Sequence, residues 1–246
     1  RFVMSTAAPF AVEKIAGARA LFGPVICQSF GQTESGFPLT FMPRWAVNDA
    51  LADPAHAHRL KSVGLPTANV IAIEIMSDAG ALLPPGEVGE IVVRGPTVMD
   101  RYVNDPEATT AIKQHGWQHT GDVGYRDADG FVYVSDRKRD LIISGGFNVF
   151  PLEVEQVLAR HPAVQDCAVI GVPDEKWGEA VKAVVELAPG ASASEAELIE
   201  LCKAALGGVM APKSVDFIEQ LPRSAVGKVL KRELRDRYWR NKTGRI

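Results

Sequence analysis

The spacing of apolar residues divides the 246-residue chain into stretches of different character. In residues 1–45 a helical spacing runs from about Val12 to Leu21. A Gly23-Pro24 break and an apolar run from Val25 to Phe30 follow, which reads as the end of an α/β layer. That run delivers Gly31-Gln32-Thr33-Glu34 at its C-terminal end, the side of an open sheet where ligands collect. Asn48 to Lys61 is polar and without a clear period, and reads as surface. Residues 62–135 are β-rich. Val70–Met76 and Glu90–Arg94 flank the turn signals Ser77-Asp78-Ala79-Gly80 and Pro84-Pro85-Gly86, a helix is expected over Asp105–Gln114, and Phe131–Val134 is strand-like. Together they suggest a small barrel-like subdomain.

After Arg139 strands and helices alternate. The pattern predicts a strand at Leu141–Ser144 and a helix with Pro151 in its first turn ending near Arg160. Strands near Cys167–Val172 and Val181–Leu187 follow, then a helix over Ser194–Leu206, a strand at Ser214–Ile218 and a last amphipathic helix from about Val229 to Trp239. Pro151 suits a first turn because its missing N–H would have had no intrahelical partner. This is an α+β domain of roughly 105 residues, an ordinary size. The chain therefore combines α/β and α+β architecture.

Composition narrows the class. With 46% hydrophobic and 23% charged residues the chain can bury a core, which excludes an intrinsically disordered protein. A net charge of −3 gives no whole-chain attraction to nucleic acid, and no apolar run approaches a membrane span, so neither partner is expected. Cys27, Cys167 and Cys202 are odd in number, widely spaced and set among apolar residues, which reads as reduced core thiols and a cytoplasmic location. The five histidines show no metal-ligand spacing. The basic run from Lys231 to Arg240 could touch nucleic acid, but Leu230, Leu234 and Tyr238 recur at helical spacing with acids between them, which favours a solvated amphipathic face.

Charges and glycines concentrate between His119 and Glu155. Thr120-Gly121-Asp122 places a carboxylate on a glycine-softened turn, and Asp136-Arg137-Lys138-Arg139-Asp140 sets five charges between two apolar runs. With Gln28-Ser29-Phe30-Gly31-Gln32-Thr33-Glu34, the stretch through Gly145-Gly146 to Glu153, and Pro222-Arg223-Ser224-Ala225-Val226-Gly227-Lys228, these motifs stand in the order found in the adenylate-forming superfamily, which the chain resembles. That superfamily contains acyl-CoA synthetases, luciferases and adenylation domains. Its Ser/Thr/Gly-rich phosphate loop, which lies upstream of the first motif, is not in this sequence. The resemblance therefore implies the C-terminal portion of a longer enzyme, partnered by its own N-terminal part. It also implies an order of parts: the end of the large AMP-binding domain with its β-rich subdomain over 1–135, a hinge over 136–140, and a small mobile C-terminal domain over 141–246.

The same resemblance assigns roles that the chemistry can carry. Joining a carboxylate to the α-phosphate of ATP brings two anions together, so the protein must supply positive charge, a metal and positioning. Thr33 would donate to an α-phosphate oxygen and Glu34 would hold Mg²⁺, although Gln32-Thr33-Glu34 also fits a capped helix start. Phe30 would lie against adenine, with Gly31, Gln32 and Ala8 lining the nucleotide site. Asp122 would accept from both ribose hydroxyls, Arg137 would add a ribose or phosphate contact, and Arg139 would be the hinge residue. Lys228 would be the principal catalytic residue, on a loop whose glycine and serine content permits an extended reach. Gly145, Gly146 and Phe147 would face coenzyme A after the hinge turns, while Glu153 is expected to be structural. The implied activity is an ATP-dependent acyl-CoA ligase for a small carboxylic acid, fatty or aromatic from the apolar Gly36-Phe37-Pro38-Leu39 segment. An adenylation module charging a carrier protein and a non-catalytic binding fragment are the alternatives. A homo-oligomer is compatible with either enzyme reading.

Overall fold

The predicted first helix is α1 (Val12–Phe22), and it stops where Gly23 takes φ +83° and donates its N–H to Arg19 O at 2.9 Å. A side chain disfavours that left-handed backbone. This computed structural model describes residues 1–6, 10–67, 72–225 and 227–240. Ala8, expected at the nucleotide site, lies outside the described residues, as do Val226 of the lysine loop and Val70 of the first predicted β run. The chain divides into two compact units, the first ending at Lys138 and the second beginning at Arg139.

In the first unit, β1 (Val3–Ser5), β2 (Ile26–Gln32), β3 (Gly36–Met42) and β4 (Leu65–Pro66) form a sheet in that order, with β1 parallel to β2 and the other two pairings antiparallel. The polar stretch read as surface is largely exposed, as expected, and it is helical. It holds α2 (Arg44–Ala52) and a 3₁₀ helix over Pro54–Lys61, started by Asp53 Oδ1 accepting the Ala55 N–H at 2.9 Å. Ala46, Val47, Ala50 and Leu60 bury there against Ile15, Ile26 and Met42. Small alanines at helical spacing hid that apolar face within a polar composition.

The β-rich stretch folds as a second, antiparallel sheet: β5 (Ala72–Met76), β6 (Gly89–Arg94), β7 (Lys113–Gln114), β8 (Trp117–Arg126) and β9 (Val132–Arg137), with α3 (Pro106–Ile112) capped by Asp105 just before β7. The ten-residue β8 has β6 on one edge and β7 followed by β9 on the other. Thr120-Gly121-Asp122, expected on a turn, lies inside this strand. Ile73, Ile75, Ile91, Val93 and Val132 alternate onto one face and pack with Leu39. Each such side chain contributes about 1.5–3 kcal/mol on burial.

The second unit has one sheet. β10 (Ile142–Ser144) and β11 (Phe147–Val149) form a hairpin, α4 (Pro151–Leu158) follows, and β12 (Val164–Asp174) pairs along β13 (Gly178–Leu187). After α5 (Glu195–Leu206), β14 (Ser214–Ile218) adds parallel to β13, and α6 (Lys231–Trp239) ends the described chain. The strand period of two covers both faces. Val169, Val181, Ala183 and Val185 pack under α4 and α5, while Ala168, Ile170 and Val184 meet Leu234 of α6. Ser194 starts α5 with a reciprocal capping box to Glu197. The basic terminal run is thus the outer face of a docked helix, with Leu234 buried, Tyr238 donating to Asp216 and Trp239 Nε1 donating to Gly171 O at 3.1 Å. All three cysteines are free and buried. Among the described residues, no helix is long and apolar enough to cross a membrane.

Candidate functional site

β2 delivers Phe30, Gly31 and Gln32 to a hairpin whose tip is a 3₁₀ turn, Thr33–Ser35. Gln32 stands before that turn without a capping side-chain bond, so Gln32-Thr33-Glu34 is not a capped helix start. Gly31 sits where a Cβ would come within 3.1 Å of Leu39 N and Phe37 Cδ2, a tight fit that a larger residue would meet only if those neighbours gave way by a few tenths of an ångström. Phe30 is half-buried against the Leu39 and Ile73 core. Thr33 is exposed, while Glu34 is half-buried and accepts the Tyr102 hydroxyl on Oε1 at 3.0 Å. Burial and this bond to Glu34 raise the Tyr102 hydroxyl above its ordinary value, so it remains a donor.

The turn is fastened from behind. Ser35 is fully buried, and its Oγ receives Gln32 Nε2 at 3.0 Å and Gln118 Nε2 from β8, while Ser35 O accepts Thr97 Oγ1 at 3.0 Å. Asp122 lies four residues after Gln118 on the same strand. Asp122 is buried, and Arg137, paired with it in register on β9, brings Nε to 3.4 Å from Oδ1 while the rest of its guanidinium is exposed. These two predicted residues are brought together.

Behind Asp122 lies a charged cluster centred on Glu90, a residue that the sequence motifs did not include. Glu90 accepts the Gly121 N–H on Oε1 at 3.1 Å, and His119 Nδ1 (3.0 Å) and Lys138 Nζ (3.1 Å) on Oε2. Burial pushes the Glu90 carboxyl up, but the bonds from His119 and Lys138 outweigh it and leave it below its ordinary value. Lys138 also holds Asp78 Oδ1 at 2.8 Å, and that bond raises the ammonium above its usual range. His119 Nε2 is buried without a partner among the described residues, beside a cavity of about 290 Å³. An acidic residue inside the apolar run Gly89-Glu90-Ile91-Val92-Val93 was the signal available in the sequence.

The remaining predicted residues belong to the second unit. Arg139 opens it, and Arg235 of α6 donates to Arg139 O at 3.1 Å and pairs with Asp140 at 2.9 Å. Gly145 and Gly146 form the β10–β11 turn with φ +58° and +83°, and Gly145 donates to Trp177 O at 2.8 Å. A Cβ on Gly145 would meet the Trp177 ring at 2.5 Å. Phe147, Ile143 and Trp177 are exposed. Glu153 lies in the first turn of α4, the place its structural reading required. Lys228 is exposed beside a closed turn, in which Ser224 donates to Lys228 O and accepts the Gly227 N–H, both at 2.8 Å, and Arg223 NH1 donates to Gly227 O. Arg223 is itself paired with Asp166. The loop read as an extended reach is therefore a pinned hairpin tip.

The residues present fit ATP with magnesium as substrate. Among the described residues no group of three or more His, Cys, Asp or Glu could hold a metal alone. Magnesium commonly takes one or two carboxylates and completes its shell with phosphate oxygens and water. Glu34 beside an exposed Thr33 hydroxyl suits that arrangement. In the first unit, a turn with a hydroxyl and a carboxylate and a buried aspartate paired with arginine offer donors and acceptors of the kind a nucleotide takes.

The comparisons agree. The family of AMP-binding enzymes matches residues 1–103, and the AMP-binding enzyme C-terminal domain matches residues 153–228. A medium/long-chain-fatty-acid–CoA ligase of Mycobacterium tuberculosis is 41% identical over 233 residues, which cover 92% of this chain and 39% of that protein. The solved amide bond synthetase McbA from Marinactinospora thermotolerans superposes with a TM-score of 0.86 at 37% identity, over 97% of this chain and 47% of its own. The o-succinylbenzoate CoA synthetase MenE from Bacillus subtilis, solved with its acyl-adenylate intermediate, gives 0.83 at 36% identity, over 100% of this chain and 47% of its own. The chain belongs to the adenylate-forming superfamily, and it spans less than half the length of these relatives.

Proposed function

We propose that the chain is part of an ATP-dependent acyl-CoA ligase, which joins a carboxylic acid to AMP with release of pyrophosphate and then passes the acyl group to coenzyme A. The observation that carries this reading is the buried Asp122 held in register with the exposed Arg137. A carboxylate so placed accepts from two vicinal hydroxyls, and the guanidinium beside it offers donors to ribose or phosphate. Thr33 and Glu34 take the α-phosphate side and magnesium, Phe30 with Gly31 and Gln32 the adenine side, and Lys228 steadies the charge where the acyl oxygen meets phosphorus. Arg139 is the joint between the parts of 1–135 and 141–246. Gly145, Gly146 and Phe147 serve the thioester half-reaction with coenzyme A. The relatives' names, a fatty-acid–CoA ligase and a CoA synthetase for an aromatic acid, support a fatty or aromatic substrate. Three buried free thiols support the cytoplasm, and the upstream part of the enzyme is the expected partner.

A second reading has adenylate formation with an acceptor other than coenzyme A, a carrier protein or an amine. The likeness to an amide bond synthetase favours it specifically. Pyrophosphate release by the full-length enzyme, with and without coenzyme A, separates the two. Coenzyme A consumed in step with AMP formed is expected. Acid-dependent pyrophosphate release with coenzyme A left untouched would sink the CoA reading and leave the second.

A further inference from the structure

The pairing of β6 with β8 is uneven. Glu90 lies opposite Val123 and Val92 opposite His119, so two steps on β6 face four on β8. Thr120, Gly121 and Asp122 bulge out between these pairs, with Gly121 at φ +73°. The bulge takes its donors away from β6, and side chains answer them instead. Glu90 Oε1 accepts the Gly121 N–H, and Thr120 Oγ1 accepts the Asp122 N–H at 3.1 Å while donating to Ile91 O at 2.7 Å. Glu90 cannot drift, because its other oxygen is held by His119 and Lys138 and its side chain is only 10% exposed.

We propose that Glu90 is a positioning residue for the ribose side of the nucleotide site: its carboxylate fixes the backbone of the bulge and so aims the Asp122 side chain. The inference rests on the ligase reading, in which Asp122 binds ribose. Glutamine is nearly the same size but has one acceptor oxygen for three donors, from Gly121, His119 and Lys138. Whichever way its amide turns, its NH₂ meets at least one donor and at least one fastening is lost.

The test is calorimetric titration of the full-length enzyme with AMP and with 2′-deoxy-AMP, which reads recognition of a ribose hydroxyl without any turnover. The unsubstituted enzyme is expected to prefer AMP by roughly ten- to hundredfold, the worth of a hydrogen bond to a charged group. Asp122→Ala should abolish that preference, and Glu90→Gln should reduce it several-fold while still melting cooperatively. A merely structural Glu90 would weaken both nucleotides alike and leave the ratio standing. If Glu90→Gln melts too low to titrate, Glu90→Asp carries the same comparison, because it keeps the charge and draws the carboxylate one methylene back from Gly121. An undiminished ratio in the substituted enzyme, with Asp122→Ala losing it, overturns the inference alone. Equal binding of both nucleotides by the unsubstituted enzyme overturns the ribose assignment and the inference with it.

Discussion

In the first unit the candidate groups are held from behind by buried polar side chains, whereas in the second they stand at the tips of tight turns. Ser35, Gln118 and Glu90 are buried and hydrogen-bonded, and each fixes a backbone segment that carries Glu34 or Asp122. Lys228, Gly146 and Phe147 are exposed, and the turns that carry them close through backbone bonds. A buried polar network is costly if broken and so fixes direction. A hairpin tip fixes where a side chain starts and leaves its far end able to adapt. Under the proposed ligase reading the two units therefore suit different tasks, holding one nucleotide in one pose and serving two successive reactions.

The largest expected effect comes from an exposed group of the second unit. Lys228→Ala in the full-length enzyme should lower adenylate formation on the order of 10²–10³-fold, the usual cost of removing a placed charge. Thioester formation from supplied acyl-adenylate should fall far less. Equal losses in both half-reactions would erase the division of labour just drawn.

A smaller effect tests the second turn. Gly145→Ala puts a Cβ against Trp177 on a left-handed backbone, a strain of about 1–2 kcal/mol, so thioester formation should fall by about tenfold. Pyrophosphate release in the first half-reaction should stay near its original rate. If both rates fall together, the β10–β11 turn is structural, and the contrast between the units weakens.

The smallest expected effect concerns stability. In the second unit the half-buried Asp216 is pushed up by burial but pulled further down by bonds from Lys182 Nζ (2.6 Å) and Tyr238. A carboxyl lowered on folding stabilises at pH above its unfolded value, here near 3.8, and loses that contribution as pH falls through its folded value. The destabilisation by Lys182→Met should thus be full at neutral pH and shrink below about pH 4, as read from thermal melts across pH. A pH-independent difference would leave only lost packing over the Tyr238 ring, which Lys182 also covers at 5.1 Å.

Much of this was legible because local rules operate locally. The helix start at Ser194, Pro151 in the first turn of α4 and the apolar run of β13 each depend on neighbours within a few positions, and each element stands close to where the pattern placed it. α2 escaped notice because alanine contributes little to hydropathy yet buries completely. Thr120-Gly121-Asp122 was read as a turn because glycine at positive φ marks turns and strand bulges alike, and only the unequal pairing with β6 distinguishes them. In the same way, glycine and serine around Lys228 permit an extended loop or a closed one. The bonds between Ser224 and Lys228 and from Arg223 to Gly227 O give the closed form, and Arg223 is also paired with Asp166, 57 residues away.

By itself the sequence determined the chemistry on offer: a hydroxyl and carboxylate in Thr33-Glu34, an aspartate beside glycine, a lysine after glycine, and the order in which they occur. That much is settled by residue type and spacing, which are properties of the chain. The tertiary structure alone decided what stands behind those groups. Glu90 is 31 residues from Gly121 and Gln118 is 83 from Ser35, and no local signal joins either pair. Such partners meet only when strands distant in sequence pair and exclude water, for burial turns an ordinary glutamate or glutamine into a group that must find donors or acceptors.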